Sequence, residues 1–534
     1  MDSKTYETYS TINNKGNRER DIDNNRRKKG KVYIVGGGPG DFLLVSLRAI
    51  KLLQEADVVI YDHLAPEIAV ELFSSGEKIY VGKEASKHTL SQDQINDLLV
   101  RYALDGKKVV RFKGGDPFIF GRGGEECEYL REHGIDFEVV PGISSFYSAL
   151  AYAGVPVTHR DFVSSFAVVT GSEAEKESSA IDFSALSKCG TVVFLMTVKP
   201  LPKIVNELKK YIDPKTPCII VQNGTLANQK VVLGTLEDIL QEVEENKISP
   251  PAIFAVGRVS ALSKKLRWFE EKALFGKKIV ITRPIDQSYQ FAVMISENGG
   301  YPILFPSIKI ESDENHRKNI GDFCAFIGGL DEKERRNSVI VFTSQNGVEI
   351  FFNTALELGF DSRLFFGFKI AAVGEKTAYS LRKFGIIPDL VPSDFSTQAL
   401  ANELIRSEIK NVFFLRAQGV RNIESELERN GKFVKNVDIY RITKHNHTEG
   451  DVKKLTEADP DILTFTSSLS FEFFSELFPK EWIMKKVIAC IGRVTAKTVE
   501  RILGKYPEIV SEHHTIEALF DKILEYSARN GTNS

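Results

Sequence analysis

The stretch VVRFKGGDPFIFGRGGEE (109–126) carries the strongest structural signal, because an apolar strand runs directly into a glycine-rich turn that holds an acid. Gly114 and Gly115 lack Cβ atoms, so the chain can bend sharply there and offer its amides to a bound molecule. Asp116 would add a fixed carboxylate for an amine or a hydroxyl group. A tight turn with a solvated acid is the alternative for GGD alone, but the whole string favours a ligand site.

Short apolar runs on both sides of this turn alternate with helical patterns. This alternation is typical of α/β domains with largely parallel strands. The turn-rich segment VVPGISS (139–145) separates two groups of strands, which predicts two subdomains with a cleft between them and a boundary near residue 143. The predicted strands are VYIVGG (32–37), ADVVIYD (56–62), KIYVG (78–82), KKVVRF (107–112), SFAVVTG (165–171), TVVFLM (191–196), PCIIVQNG (217–224) and PAIFAVG (251–257).

Composition and charge limit the possible classes of protein. The 534 residues are 42% hydrophobic and 27% charged, which suggests roughly two to four globular domains. A net charge of -2 gives no global attraction to nucleic acid or membrane. The five cysteines are far apart, which predicts a reducing compartment and no structural metal. No signal peptide or membrane span is evident, so we expect a cytoplasmic protein without nucleic-acid or membrane partners.

The remaining segments are predicted from local composition. The first 29 residues are polar and are expected to form a disordered tail. A charged, helix-prone string (263–278) precedes a new strand, which places a linker at 267–274. The first domain pair would then span 30–266, the second part 275–528, and a short tail 529–534.

The second part of the chain contains an internal repeat. VIVFTSQNGVEIFF (339–352) resembles ILTFTSSLSFEFF (462–474), and IAAVGEKTA (370–378) resembles IACIGRVTA (488–496). Two pairs in the same order predict two related α/β lobes, each with an FTS turn and a G-x-x-T-A turn at strand ends.

A nicotinamide oxidoreductase is one alternative for the first part, because glycines at 36, 38 and 40 follow a strand. The dinucleotide motif requires a further glycine where Asp41 stands, and a carboxylate there would repel a pyrophosphate. Asp62 does lie at the distance of a ribose-binding acid. The spacing nevertheless disfavours this alternative.

The first part contains an ordered set of motifs: GGGPGD (36–41), VVIYDHL (58–64), VGK (81–83), VRFKGGDPFIFGRGGEE (110–126), VVPGISS (139–145), AGVPVTHRD (153–161), VFLM (193–196) and QNGT (222–225). Through these motifs it resembles the uroporphyrinogen-III C-methyltransferases over about residues 31–266. The resemblance implies two α/β subdomains of a tetrapyrrole methylase that bind S-adenosylmethionine. It also implies two methyl transfers to uroporphyrinogen III, giving precorrin-2 on the way to sirohaem or cobalamin.

The family pattern implies roles for individual residues. Asp62 would be the base that removes a pyrrole proton, although a lone acid after a strand is more often a turn or N-cap residue. Lys83 would donate a proton or bind a substrate carboxylate. The implied cofactor contacts are Pro39, Gly114, Gly115, Asp116, Ile119, Ser144, Ser145, Met196 and Gly224.

The eight carboxylates of the implied substrate require cationic partners, for which arginine is well suited. The candidates are Arg111, Arg122, His88 and Arg160, each of which could equally form a surface salt bridge. Two positions depart from the family pattern, His63 where arginine is usual and Gly37 where alanine is usual. His63 would weaken one substrate contact or make it pH-dependent.

The second part contains no catalytic triad, metal site or phosphate loop. Its ordered motifs are ITRP (281–284), VFTSQNGV (341–348), AVGEKTA (372–378), FLRAQGVRN (414–422), VDIYR (437–441), TFTSS (464–468) and CIGRVTA (490–496). Through these motifs it resembles uroporphyrinogen-III synthase, a divergent family. The resemblance implies a bilobed α/β enzyme without a cofactor. It would close hydroxymethylbilane with inversion of ring D, through loss of a hydroxyl group and recyclisation.

Within this second resemblance, Tyr440 would donate a proton to the leaving hydroxyl. Thr377 and Thr495 stand in the matched G-x-x-T turns, where capping of the following helix is at least as good an interpretation. The remaining substrate-binding candidates are Ser344, Ser467, Arg283 and Arg416.

The sequence therefore predicts a bifunctional enzyme of tetrapyrrole biosynthesis, methyltransferase first and synthase second. A non-catalytic tetrapyrrole-binding module is the alternative for the second part. The methyltransferase resemblance also implies a possible homodimer through that part of the chain.

Overall fold

A computed structural model of the chain describes residues 29–82, 90–175, 180–393, 397–419 and 423–531. Lys83, His88 and the predicted tail up to residue 28 lie outside these described residues. The chain divides into two compact units, residues 1–148 and 149–534. Four five-stranded sheets organise the described residues.

The strands are β1 (Lys31–Gly36), β2 (Val58–Tyr61), β3 (Glu77–Tyr80), β4 (Val109–Lys113), β5 (Asp136–Val140), β6 (Phe166–Thr170), β7 (Thr191–Leu195), β8 (Pro217–Gln222), β9 (Lys230–Thr235), β10 (Ala252–Val256), β11 (Lys278–Ile281), β12 (Tyr301–Leu304), β13 (Ile308–Glu311), β14 (Ser338–Phe342), β15 (Lys369–Ala372), β16 (Asn411–Ala417), β17 (Phe433–Lys444), β18 (Ile462–Phe465), β19 (Val487–Cys490) and β20 (Ile509–Val510).

The α-helices are α1 (Leu47–Glu55), α2 (Glu67–Phe73), α3 (Gln92–Leu104), α4 (Gly123–Glu132), α5 (Ser145–Tyr152), α6 (Phe183–Leu186), α7 (Leu201–Leu208), α8 (Ile239–Glu245), α9 (Ser263–Leu266), α10 (Tyr289–Glu297), α11 (Glu314–Gly328), α12 (Glu332–Arg336), α13 (Gln345–Glu357), α14 (Glu375–Lys383), α15 (Thr397–Arg406), α16 (Glu424–Arg429), α17 (Glu449–Ala458), α18 (Ser468–Ser475), α19 (Lys480–Met484), α20 (Arg493–Leu503) and α21 (Ile516–Gly531).

The first unit is built on a parallel sheet with the strand order β3-β2-β4-β1-β5. The central strands β2 and β4 are buried along their whole length, as expected of parallel strands covered on both faces. The carboxyl ends of parallel strands meet at one edge of the sheet. The turns GGGPGD, YDHL and KGGD therefore lie at the same edge, after β1, β2 and β4.

The second sheet has the order β6-β7-β10-β8-β9, and only β6 and β7 pair in parallel. Strand β10 runs antiparallel to both β7 and β8, and β8 runs antiparallel to β9. The prediction of largely parallel strands was wrong for this sheet. The four strands predicted here are nevertheless present, and β5 and β9 are the strands of the first part that the sequence did not predict.

The third and fourth sheets form the two predicted lobes. One has the all-parallel order β12-β11-β18-β19-β20, and the other has the order β13-β17-β16-β14-β15 with only β13 antiparallel. In this part, the chain first forms β11 and β12 of one sheet and then all five strands of the other sheet. It returns to the first of these sheets at β18. A cluster of phenylalanine rings fills the core of each lobe.

The internal repeat corresponds to these lobes. Strands β14 and β15 with α13 and α14 carry one pair of motifs, and β18 and β19 with α18 and α20 carry the other. The paired motifs therefore stand at equivalent strand ends of two different sheets, as predicted.

The segment between the second and third sheets is packed against its neighbours. Beyond the short helix α9 it is not helical. Phe269 and Leu274 are buried, and the Trp268 indole donates to the Ala151 carbonyl. Helix α21 continues through Gly531, into the segment predicted as a tail. Among the described residues, no helix combines the length and apolarity that crossing a bilayer needs.

Candidate active sites

The GGD turn is fixed by backbone contacts with the turn after β1. Gly115 has a φ of 64°, a conformation that favours glycine, and it exchanges two backbone hydrogen bonds with Gly38. A Cβ on Gly114 would lie 2.5 Å from the Leu64 Cβ atom, so only glycine lets the turn approach the YDHL segment this closely.

Asp116 is held by amides on both of its oxygens. Its Oδ1 accepts from the Phe118 amide at 2.8 Å and its Oδ2 from the Gly142 amide at 3.0 Å. The carboxylate thereby joins the GGD turn to the VVPGISS segment. It is partly exposed and its position is fixed, as the sequence predicts for a carboxylate that receives a ligand.

Asp62 follows the carboxyl end of β2 and faces the GGD strand. Its Oδ2 accepts from Nη2 of Arg111 at 2.9 Å, and its Oδ1 accepts from the Leu64 amide at 3.3 Å. The side chain is 28% exposed, while that of Arg111 is only 3% exposed. Asp62 is therefore a turn residue and also the solvent-facing end of a buried ion pair.

Behind this pair lies a buried charge cluster, which we define as Asp62, Arg111, Lys113 and Glu126. Three donors converge on one Glu126 oxygen: Arg111 Nε at 3.1 Å, Lys113 Nζ at 2.9 Å and the Gln92 side-chain amide at 3.1 Å. Burial lowers the pKa of Lys113 from its usual value. Arg111 was a candidate for binding substrate carboxylates, but its guanidinium is enclosed by this cluster.

The other candidate cofactor residues of the first unit lie near the same sheet edge. Pro39 is partly exposed in the turn after β1, and Ile119 is 37% exposed beside the exposed rings of Phe118 and Phe120. Ser144 is buried just before α5, and Ser145 begins that helix. The DPFIF segment thus presents apolar surface next to a polar turn.

In the second unit, Met196 and Gly224 each follow a strand. Met196 stands after β7 with a φ of 53° and is 52% exposed, which is unusual for a large apolar side chain. Gly224 follows β8, and a Cβ there would lie 2.2 Å from the Ala149 Cβ atom. The glycine is therefore required for packing against α5, whatever else it contacts.

Arg122 and Arg160, the remaining candidate cations among the described residues of the first part, are exposed. Arg122 has a φ of 58° at the start of α4 and pairs with Glu125, and the side chain of this arginine is 55% exposed. Arg160 lies on the surface of the second unit.

In the synthase-like part, the Tyr440 and Ser344 hydroxyls share a hydrogen bond of 2.8 Å. Tyr440 is 3% exposed, and burial raises the pKa of its phenol above the usual value of 10.0. Ser344 also accepts from the Gly347 amide, which fixes its hydroxyl at the start of α13. The pair unites residues from two predicted motifs, one after β14 and one on β17.

The structure does not support the capping interpretation of the two matched G-x-x-T turns. For Thr377 and Thr495, capping of the following helix stood beside a catalytic role, but Gly374 and Gly492 occupy the N-cap positions. Both threonines are instead buried in the first helical turn. In the second FTS turn, Ser467 caps α18, where its hydroxyl accepts from the Ser470 amide at 3.1 Å.

The two arginine candidates of this part have different environments. Arg416 is 1% exposed, pairs with Glu424 and stacks its guanidinium 4.1 Å from the Phe414 ring centroid. Arg283 is partly exposed and donates to Gln287, whose amide donates to Asn346 of the other lobe at 2.8 Å. Burial lowers the pKa of Arg283. Arg283 therefore belongs to a hydrogen-bonded bridge between the lobes.

Two family models match the chain, one in each part. Residues 31–240 match the model of "Tetrapyrrole (Corrin/Porphyrin) Methylases", and residues 290–521 match that of "Uroporphyrinogen-III synthase HemD". The "Porphyrin biosynthesis protein HemD" of Ruminiclostridium josui is 37% identical over 94% of this chain and 99% of its own length. The chain belongs to the fused tetrapyrrole methylase and uroporphyrinogen-III synthase family.

Two further proteins, both named as C-methyltransferases, are similar to shorter shares of the chain. The "Uroporphyrinogen-III C-methyltransferase" of Bacillus subtilis (strain 168) is 38% identical over 69% of this chain and 74% of its own length. A solved uroporphyrin-III C-methyltransferase of Thermus thermophilus, complexed with S-adenosylhomocysteine, is 40% identical and covers 44% of this chain and 100% of its own, with a TM-score of 0.37.

Sequence reasoning about the methylase missed Glu126 and Lys113. The available signal was the strand VVRFK itself, because two cations in a strand that is otherwise apolar require a buried acid. The departure at Gly37 also has a local cause. A Cβ there would lie 2.7 Å from the Phe112 ring and 2.8 Å from the Pro66 ring.

Proposed function

We propose that the chain catalyses two consecutive steps of tetrapyrrole biosynthesis. The synthase part, 275–528, closes hydroxymethylbilane to uroporphyrinogen III with inversion of ring D. The methylase part, 30–266, then transfers two methyl groups to that product, which yields precorrin-2. Membership of both families supports this pair of reactions.

The observation that carries the methylase proposal is the ion pair between Asp62 and Arg111 beside the GGD turn. Hydrogen bonds to Oδ1 and Oδ2 fix the carboxylate at a sheet edge, while 28% of the side chain stays accessible. A fixed, accessible carboxylate can remove a pyrrole N–H proton, which makes the adjacent ring carbon nucleophilic. Asp62 is therefore our candidate for the general base.

The GGD turn has the properties that S-adenosylmethionine requires. Among the described residues, an added Cβ at Gly115 would meet only the Ser145 amide at 4.0 Å, which leaves room for a ligand on that side of the turn. Asp116 offers a fixed charge, and Ile119 offers apolar contact. When bound, the cofactor would supply an electrophilic methyl group on a sulfonium. Gly114, Gly115, Asp116 and Ile119 would hold it.

Tyr440 is our candidate proton donor in the synthase part. Its phenol is neutral over a wide pH range because burial raises its pKa, and Ser344 fixes its direction. A proton transferred to the hydroxyl of hydroxymethylbilane would let that group leave as water. The confinement of the resulting chain would then direct recyclisation.

Two assays with the full chain test the proposal separately. With uroporphyrinogen III and methyl-labelled S-adenosylmethionine, we expect two labelled methyl groups in a product with the mass of precorrin-2. With hydroxymethylbilane alone, we expect uroporphyrinogen III. Only the type I isomer, which forms without an enzyme, would contradict the synthase and favour a non-catalytic binding module.

The setting of the enzyme is also a proposal. We propose a cytoplasmic location, supported by five cysteines that are all free thiols, and a homodimer through the methylase part. Light scattering on the purified full chain would give a mass of about twice 59.8 kDa for a dimer, and a monomer mass would contradict it.

A further inference from the structure

The buried charge cluster of the methylase contains a residue to which the proposed mechanism gives no role. Glu126 lies on α4 with a fully buried side chain, 15 residues after Arg111 in the chain. All of its three donors bind the Oε1 atom, and among the described residues the Oε2 atom has no hydrogen-bond partner. Removing a carboxylate from water carries a large desolvation free energy, so stabilisation of the fold is a weak explanation for this arrangement.

The contacts of Arg111 show what Glu126 does geometrically. The Nε atom donates to Glu126, Nη1 to the Ile60 carbonyl at 3.3 Å, and Nη2 to Asp62. Ile60 lies two residues before Asp62 on β2. Glu126 and the Ile60 carbonyl thereby fix the guanidinium plane through Nε and Nη1, and the Nη2 atom determines where the Asp62 carboxylate lies.

Glu126 also holds the second cation of the cluster. Lys113 donates to Glu126 at 2.9 Å, and the charge of Asp62 also acts on its ammonium group. Without a carboxylate at 126, Lys113 and Arg111 would share Asp62 as their anionic partner. A second buried cation on Asp62 would make that carboxylate a weaker base.

We propose that Glu126 is a positioning residue for methyl transfer, which holds Arg111 and Lys113 so that Asp62 keeps its place and its basicity. This inference rests on the proposed role of Asp62 as the base. Glu126 touches neither substrate nor cofactor in this account. Its effect on the reaction passes through Arg111 and Lys113 to Asp62.

A double-mutant cycle on the full chain tests this route. Glu126→Gln keeps the side-chain shape but removes the charge, and we expect methylation of uroporphyrinogen III to fall about tenfold or more in kcat. Binding of S-adenosylhomocysteine should stay within about twofold, because the GGD turn is untouched. In an Asp62→Asn background, Glu126→Gln should cause no further loss, since the base is already absent.

The control is Glu128→Gln on the same helix, where the side chain is exposed and the rate should not change. A Glu126→Gln enzyme with the wild-type rate would overturn the inference. Losses that multiply in the double variant would also overturn it, because they would indicate a general structural effect. If Glu126→Gln does not fold, Glu126→Asp keeps the charge but shortens the reach, and the same cycle applies.

The two proposals fail in different ways. If Asp62 is not the base, Asp62→Asn by itself will methylate at the wild-type rate. If Asp62→Asn is slow and Glu126→Gln is as fast as wild type, the base assignment stands and the positioning role of Glu126 is wrong.

Discussion

The proposed chemistry depends on two single residues, Asp62 and Tyr440, and on the side chains that fix their positions. Asp62 is pinned by a buried arginine, and Tyr440 by a capping serine. Both residues were singled out from family motifs, Asp62 after the apolar strand β2 and Tyr440 in the VDIYR motif, which lies within β17. The sequence did not predict the partners of Arg111, since residues 111 and 126 meet only through the packing of α4 against the sheet.

Asp62→Asn should retain cofactor binding and lose methylation by about 100-fold or more, because an amide cannot accept the pyrrole proton. Labelled methyl transfer and calorimetry with S-adenosylhomocysteine measure the two properties. The exposed Glu128 on α4 provides a control as Glu128→Gln, which should keep the wild-type rate. Equal rates for Asp62→Asn and wild type would refute the role of base.

Tyr440→Phe should slow the synthase reaction by about 100-fold, because the ring remains while the proton donor is lost. Because burial raises the pKa of this phenol above 10.0, the absorbance change of tyrosinate below pH 10 should be the same in wild type and variant. Isomer analysis of the product and a difference titration near 295 nm provide these measurements. A Tyr440 that ionises below pH 10, or an unchanged rate, would contradict this account.

At the scale of elements, turns and helix caps hold the candidate site residues in place. The direction of the strands in the second sheet could not be predicted from the sequence. The glycine turn after β4 was predicted from its local sequence, and the FTS turns were predicted from the internal repeat. The antiparallel β8, β9 and β10 were not, because a buried apolar run such as PAIFAV reads the same in either direction. The linker was predicted to favour a helix, but burial of Phe269 and Leu274 determines its path.

Gly114→Ala should disturb the GGD turn, because the new Cβ would lie 2.5 Å from the Leu64 Cβ atom and 2.6 Å from the Leu64 carbonyl oxygen. We expect a loss of about 1–3 kcal/mol in the free energy of unfolding, together with weaker cofactor binding. Gly124→Ala is the matched control, since no atom of the described part of the chain lies within 4 Å of a Cβ there. Denaturant unfolding that gives the same stability for both variants would argue against the close approach.

Ser467→Ala should remove the N-cap of α18 and lower the free energy of unfolding by about 1 kcal/mol. The synthase rate should fall less than in Ser344→Ala, because Ser344 also binds Tyr440. Chemical denaturation and synthase assays of the two variants make the comparison. A larger loss of rate in Ser467→Ala would indicate that the second FTS turn, rather than the first, serves the reaction.

The whole molecule joins two enzymes whose proposed reactions are consecutive. The repeat predicted the two lobes of the synthase from sequence, but not that the chain leaves β12 to build the entire other lobe before it returns at β18. Short repeated motifs indicate equivalent turns, but they do not indicate the order in which the chain forms the strands of the two sheets. The packed linker likewise depends on long-range contacts, such as that of Trp268 with Ala151.

The most direct measurement is a coupled assay in which the full chain receives hydroxymethylbilane and S-adenosylmethionine, with products identified by mass and isomer type. We predict precorrin-2 from the wild-type chain, and uroporphyrinogen III accumulating with Asp62→Asn. Formation of uroporphyrinogen I without methylated type III product would contradict the claim that one chain performs both steps.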